Sequence, residues 1–159
     1  MNPLLRFLIA FVPFVGVTGL VIATVIGLIV GVDDFDRVLL ENSITFLIGV
    51  TGLMAGFGHM FFPDPIADSI GWPKGTPWQW EVGLASVSVG VLGVIATSYD
   101  TDFWLATIIA FSVYYIGAAI GHVRQMIAHR NFSAGNAGPI FLFDVVVPIY
   151  LIVLYAAVV

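Results

Sequence analysis

The sequence predicts an all-α, polytopic integral membrane protein, in which five transmembrane helices and one short interfacial helix form a bundle. Hydrophobic residues make up 60% of the 159 residues and charged residues only 9%, whereas about a quarter of the residues in a soluble domain are charged. The mean hydropathy is +1.06. Several uncharged apolar stretches reach about 18 residues, the length that crosses a hydrocarbon core. We therefore expect a single transmembrane domain over residues 1–159 and no soluble domain.

Turn and cap residues divide the chain into the five predicted spans. These spans cover approximately residues 4–32, 38–62, 79–98, 103–128 and 139–159. The first span superficially resembles a secretory signal, but its uncharged stretch over residues 7–32 is far longer than a signal's apolar region of about 7–15 residues. We interpret it as a retained helix. The connection over residues 99–102 is short enough to force an antiparallel pair of helices.

The long connection over residues 63–78 is predicted to contain the interfacial helix, at about residues 65–71. Pro65 suits the first turn of a helix, and Gly71 suits its end. Thr76 and Gln79 fit a capping box that opens the third span. Tryptophans around this connection fit an aromatic belt that anchors the chain at the membrane surface. They are Trp72, Trp78 and Trp80.

Small residues predict where the helices pack closely, because they allow backbones in a bilayer to approach one another. One face of the third span carries Gly83, Ser86, Gly90, Gly93 and Thr97. Pairs of glycines four residues apart mark the first, second and fourth spans. These pairs are Gly27 and Gly31, Gly52 and Gly56, and Gly117 and Gly121. The patterns indicate a tight bundle.

The distribution of charge predicts the orientation of the chain. With five spans, one side of the membrane receives four of the five basic residues, namely Arg6, Lys74, Arg124 and Arg130. The other side receives only Arg37, together with several aspartates. The positive-inside rule then predicts a cytoplasmic N-terminus and a C-terminus outside the cell.

Composition also excludes several classes of function. The chain has no cysteine, which excludes disulfides, thiol redox chemistry, iron–sulfur clusters and covalent haem attachment. The net charge of −5 argues against a nucleic-acid partner. The partner that the sequence does predict is the lipid bilayer.

Asp144 is the most informative residue of the sequence, because an ionisable group inside a membrane usually faces a partner or a cavity. Pro148 cannot donate to the carbonyl of Asp144 and leaves it free. Helical rise places Asp144 and His122 each about 9 Å from the cytoplasmic ends of their spans. His59 and Glu81 lie about 5–6 Å from theirs. Four spans thus contribute one titratable group each to a single layer.

We predict a ligand-binding site in this layer. The candidate residues are His59, Glu81, Tyr115, His122 and Asp144. Tyr115 joins the set because it lies seven residues before His122 on one polar stripe. The sequence assigns no catalytic residue.

Three interpretations of the layer stay open. In the first, the groups only fix helix packing, with Asp144 paired to His122 or Arg124. In the second, they bind a lipid-like molecule such as a quinone head group, which needs proton donors near its ring. In the third, His59, Glu81, His122 and Asp144 bind Zn²⁺ or Fe²⁺, although the E-x-x-H pairs of a di-iron bundle are missing from the sequence. A proton-coupled carrier or a membrane enzyme could use the same layer.

The order of several motifs resembles the DoxX-like superfamily of small bacterial and archaeal membrane proteins. The resemblance covers roughly residues 48–150, and its motifs are Gly58-His59, Gly71-Trp72-Pro73 and the Gly-rich span that opens with Gln79-Trp80-Glu81. The residues from Gly121-His122 to Pro148 look closer to an uncharacterised branch, in which the first span is an addition.

The resemblance implies a location in a bacterial or archaeal inner membrane. It also implies an accessory redox subunit that binds quinone, with a membrane protein partner or a second copy of the chain, rather than an independent enzyme. Its matched acid is Glu81.

Overall fold

A computed structural model of the protein describes the backbone of residues 3–159 and the side chains of residues 14–159. The described residues form helices and connecting segments and contain no β-strand. We number the helices in chain order. They are α1 (Pro3–Val30), α2 (Phe35–Phe61), α3 (Pro63–Ile70), α4 (Trp78–Ser98), α5 (Thr101–His129), α6 (Ala134–Ala137) and α7 (Pro139–Val158).

The predicted fold class is confirmed. The helices α2, α4 and α5 and the segment Ala134–Val158 are each long and apolar enough to cross a membrane. The segment Phe14–Val30 of α1 is a shorter apolar helix. The side chains of α1 before Phe14, including that of Arg6, lie outside the described residues. Helix boundaries differ from the predicted ones by a few residues.

The predicted interfacial helix is present as α3. It begins at Pro63, two residues earlier than expected, because proline is well suited to the first turn of a helix. It ends at Gly71, whose φ of 70° lies in the left-handed region that favours glycine. Helices α3 and α6 lie on the same side of the bundle, which we call the α3–α6 side. The N-terminal ends of α4 and α7 lie on this side, as do the C-terminal ends of α2 and α5.

Glycines hold α2 and α4 in backbone contact, as predicted. A Cβ atom added to Gly90 would lie 2.6 Å from the amide nitrogen of Leu53, and one added to Gly52 would lie 2.9 Å from the Cα of Gly90. These separations are shorter than a side chain tolerates, so only glycine allows this approach. Gly117 and Gly31 behave differently, because a Cβ atom added to either would meet nothing within 4 Å.

One segment of α2 was not predicted: residues Ile44–Val50 form a π-helix. The wider turn at its end lets the hydroxyl of Thr51 donate to the carbonyl of Phe46 at 3.2 Å. Gly16 of α1 lies against the same carbonyl, where a Cβ atom would overlap it. Wide turns of this kind often occur next to functional sites. Here the wide turn places Thr51 at the inner end of a cavity.

The hydrophobic core fills the half of the bundle opposite the α3–α6 side. Its buried side chains include Leu40, Ile44, Ile48, Trp104, Ile108, Phe111 and Leu151. Pro148 is also buried, and α7 continues through it as one helix. The bundle is therefore densely packed on one side and contains its cavity on the other.

Candidate functional site

A cavity of about 510 Å³ lies between α2, α3, α4, α5 and α7. It extends from α3 towards the middle of the bundle, and apolar atoms make up most of its wall. Four of the five predicted ligand residues line it. They are His59, Tyr115, His122 and Asp144.

Glu81 is the exception, and its predicted place beside the other four was wrong. Its side chain is exposed in the first turn of α4 and does not line the cavity. The cavity face of α4 is formed by Trp78, Val82 and Ser86, which repeat every four residues. Glu81 lies about 100° around the helix from Val82. The position of Glu81 along the helix could be predicted from the start of the span, but the direction of its side chain around the helix axis could not.

His59 contacts Gln79 at the start of α4. The side-chain nitrogen of Gln79 donates to the carbonyl of Pro63 at 3.0 Å, so the side-chain oxygen of Gln79 must face His59. That oxygen only accepts, so the hydrogen bond between it and His59 requires a proton on Nδ1. The other ring nitrogen, Nε2, has no hydrogen-bond partner among the described residues. A neutral His59 therefore offers an acceptor at Nε2.

The same arrangement recurs at His122 with Asn136. The fully buried side chain of Asn136 donates through Nδ2 to the carbonyls of Asn131 at 2.9 Å and His122 at 3.2 Å. Its Oδ1 accepts from the indole of Trp72 at 2.9 Å and from Nδ1 of His122 at 2.8 Å. In the sequence, Asn136 lies in the connection between the fourth and fifth predicted spans, where asparagine usually serves turn or cap chemistry. It instead joins the α3–α4 connection to α5 and α6.

His122 and Asp144 form a buried pair. Nε2 of His122 lies 3.5 Å from Oδ2 of Asp144. Nδ1 of His122 already carries a proton. One further proton can lie either on the carboxyl group of Asp144, which then donates to Nε2, or on Nε2, which then faces a carboxylate. The pair thus has one proton to share, next to the cavity. Arg124, the alternative partner of Asp144, is exposed.

Four aromatic rings form a row along the wall of the cavity on the α3–α6 side. The ring centroids of His59 and Trp78 are 6.0 Å apart, those of Trp78 and Trp72 are 5.4 Å apart, and those of Trp72 and His122 are 5.7 Å apart. Anchoring at the membrane surface alone therefore does not account for Trp72 and Trp78. Trp80 is 53% exposed, as a surface anchor should be.

Tyr114 connects α5 to α4 at the inner end of the cavity. Its hydroxyl lies 2.9 Å from the hydroxyl of Ser86 and donates to the carbonyl of Val82 at 3.2 Å. The next residue, Tyr115, stacks on Phe111 with a centroid distance of 4.2 Å. From the sequence, Ser86 was predicted only to pack against another helix, and Tyr114 had no predicted role. Their pairing depends on how α4 and α5 are rotated, which spacing along the chain does not report.

Residues 6–158 match a family of unknown function, DUF6790. The chain belongs to this family. Comparisons with curated proteins and with solved structures gave no match. The DUF6790 match includes nearly all of α1, which therefore belongs to the family's common region. It does not bear on the predicted DoxX-like resemblance.

The histidines and acids of this DUF6790 protein do not form a metal centre in the part of the chain that the structure describes. No group of three or more His, Asp or Glu side chains there is arranged to hold an ion. Glu81 faces away from the cavity, and Nδ1 of both histidines is bound by an amide. The remaining polar groups suit hydrogen bonding to an organic ligand.

Proposed function

We propose that this DUF6790 protein binds a quinone-like or lipid-like small molecule in the cavity, as an accessory redox subunit of the membrane. The observation that carries the proposal is the pair of histidines on a mostly apolar wall, each held in one tautomer by an amide. Small-molecule sites are usually mostly apolar, with a few well-placed polar groups that fix the orientation of the ligand.

The polar groups match the two oxygens of a quinone or hydroquinone ring. Nε2 of a neutral His59 can accept from a hydroxyl group. The pair of His122 and Asp144 can donate its shared proton to a carbonyl oxygen or accept a hydrogen bond from a hydroxyl. Trp72 and Trp78 provide flat faces on which a ring can stack.

The accessory role follows from composition. A quinone that is reduced takes up two electrons and two protons, and the groups around the cavity could hold the protons. The chain has no cysteine with which to form a redox disulfide or hold an iron–sulfur cluster, so the proposed electron source is a membrane protein partner. A second copy of the chain is the alternative partner. The proposed location is a bacterial or archaeal inner membrane with a cytoplasmic N-terminus, and membership of the DoxX-like superfamily stays part of this proposal.

A specific observation favours a second candidate, a purely structural role for these polar groups. Asn136 joins Trp72, His122 and the carbonyl of Asn131, which ties the connecting segments to α5. Buried polar groups of this kind can serve only to fix helix register. A proton-coupled carrier or a metal-dependent enzyme has no comparable observation in its favour.

One experiment separates the two candidates. The protein is placed in lipid nanodiscs, and a benzoquinone with an isoprenoid tail is titrated while the tryptophan fluorescence is recorded, since Trp72 and Trp78 line the cavity. We expect quenching by a bound ring. In the double variant His122→Ala/Asp144→Asn, the Kd should rise about tenfold or more.

The control is His129→Ala, which removes an exposed histidine at the end of α5. It should leave the Kd unchanged. If the double variant lowers the unfolding temperature while the Kd stays at the wild-type value, the structural candidate is correct. If the wild-type protein shows no saturable quenching, quinone binding is excluded.

A further inference from the structure

The cavity reaches the surface of the bundle along one side of α5. Val113 and Gly117 line the cavity and are also exposed, and the side chain of Val113 is 71% exposed. Both residues lie beside Tyr114, whose hydroxyl reaches α4. The opening is therefore between α4 and α5.

The position of this opening along α5 determines whether it faces lipid or water. Within Thr101–His129, Gly117 lies about 24 Å from the start of the helix and about 18 Å from its end. The hydrocarbon core of a bilayer is about 30 Å thick. An opening at the middle of a spanning helix faces acyl chains rather than water.

Glycines keep the opening free of side chains. A Cβ atom added to Gly117 would meet nothing within 4 Å, and one added to Gly121 would meet only the ring of Trp72, at 3.6 Å. This pair has the same spacing as Gly52 and Gly56, yet no neighbouring backbone fills the space. The absence of a side chain therefore provides room instead of allowing a helix contact.

Tyr114 limits the inner end of the opening. Its hydroxyl holds Ser86 and the carbonyl of Val82 on α4. Between this connection and Trp78 on the α3–α6 side, small or half-buried cavity residues line α4 and α5. A flat ring that enters at Gly117 would pass directly towards His122 and the tryptophans.

We propose that the cavity is filled sideways from the bilayer, between α4 and α5. The ligand is a membrane-resident amphiphile whose hydrogen-bonding ring enters the cavity while its apolar tail stays among the acyl chains. This inference rests on the proposed ligand binding and adds the route and the chemical class of the ligand.

The test measures how fast the ring of a quinone probe reaches the cavity. It compares the wild-type protein in nanodiscs with the variant Gly117→Phe, in which a side chain occupies the opening. Stopped-flow quenching of tryptophan fluorescence follows two probes, a benzoquinone with an isoprenoid tail that is supplied in vesicles and a tail-free benzoquinone that is added in water. The matched control is Ile116→Phe, which places the same side chain on a neighbouring, lipid-facing position outside the cavity wall.

We expect Gly117→Phe to slow quenching by the tailed probe about tenfold or more, while Ile116→Phe keeps the wild-type rate. Gly117→Ala and Gly117→Leu give a graded series if the phenylalanine variant does not fold, and the rate should fall as the side chain grows. Equal rates for the tailed probe in wild type and in the Gly117 variants would overturn the lateral route while leaving the binding site in place. Absence of saturable quenching by either probe in the wild type would instead refute the proposed binding, and the lateral route with it.

Discussion

Gln79 determines which ring nitrogen of His59 carries the proton. The amide nitrogen of Gln79 is held by the carbonyl of Pro63, so its oxygen must face Nδ1 of His59. Asn136 imposes the same choice on His122. Neither amide lies in the middle of a membrane span: Gln79 is at the start of α4, and Asn136 is in α6. Residues at the end of a span and in a short helix between spans therefore determine which ring nitrogen of these histidines is protonated.

The tautomer of His59 is a direct test of this arrangement. We expect ¹⁵N NMR of the histidine-labelled protein in detergent to show a proton on Nδ1 and none on Nε2 of His59 at a pH at which the ring is neutral. In Gln79→Leu the acceptor is lost, so a mixture of both tautomers should appear. A wild-type spectrum with the proton on Nε2 would contradict the inferred hydrogen bond.

Asn136 should be a major determinant of stability. In Asn136→Ala the buried donors of Trp72 and His122 lose their acceptor, which should lower the free energy of unfolding by about 2–4 kcal/mol. Thermal unfolding in detergent, followed by circular dichroism, measures the change. The control is Asn42→Ala on α2, because the side chain of Asn42 makes no hydrogen bond among the residues that the structure describes. An equal loss of stability in both variants would refute the role of Asn136.

Two glycines, one on α4 and one on α5, predict opposite effects for the same substitution. Gly90→Ala places a methyl group 2.6 Å from the backbone of Leu53, and separating the helices should lower stability by about 1–3 kcal/mol. Gly117→Ala meets no neighbour and should raise stability by up to about 1 kcal/mol through helix propensity. Denaturation of both variants under one condition tests the difference. Destabilisation by Gly117→Ala would show that another group occupies the space beside it.

The orientation of the chain can be tested with single cysteines, because the sequence has none of its own. We expect Lys74→Cys and Arg130→Cys to be protected from a membrane-impermeant maleimide in intact cells, since both lie on the predicted cytoplasmic side. Asp102→Cys, at the start of α5, should react. Disruption of the membrane should make all three reactive. The reverse pattern in intact cells would invert the proposed topology.

The sequence was sufficient to predict the fold class and the approximate ends of the helices. Apolar stretches and cap residues locate the ends of the helices, and a fixed rise per residue then gives the depth of His59, His122 and Asp144. Rotation about the helix axis is a separate quantity. It depends on how neighbouring helices pack, and for this reason Glu81 was predicted in the cavity but lies outside it.

The residues that the sequence analysis missed share a second cause. Gln79 lies in the first turn of α4 and Asn136 in the short helix α6, and each obtains its partners from several parts of the chain. Turn and cap chemistry explained both residues locally, so nothing in the spacing indicated a further role. The π-helix of α2 lies against α1 and α4, where Gly16 and Gly49 allow close backbone contacts, and spacing along the chain does not report such contacts.

The dense core opposite the α3–α6 side closes the inner end of the cavity. Trp104, Phe111 and Leu151 are all but inaccessible, and they fill the path that a molecule would need in order to continue past Tyr115. Under the proposed lateral route, a ligand that reaches His122 would leave by the way it entered. The proposed site would therefore return its ligand to the bilayer from which it came, and passage to the opposite face would require the core itself to unpack.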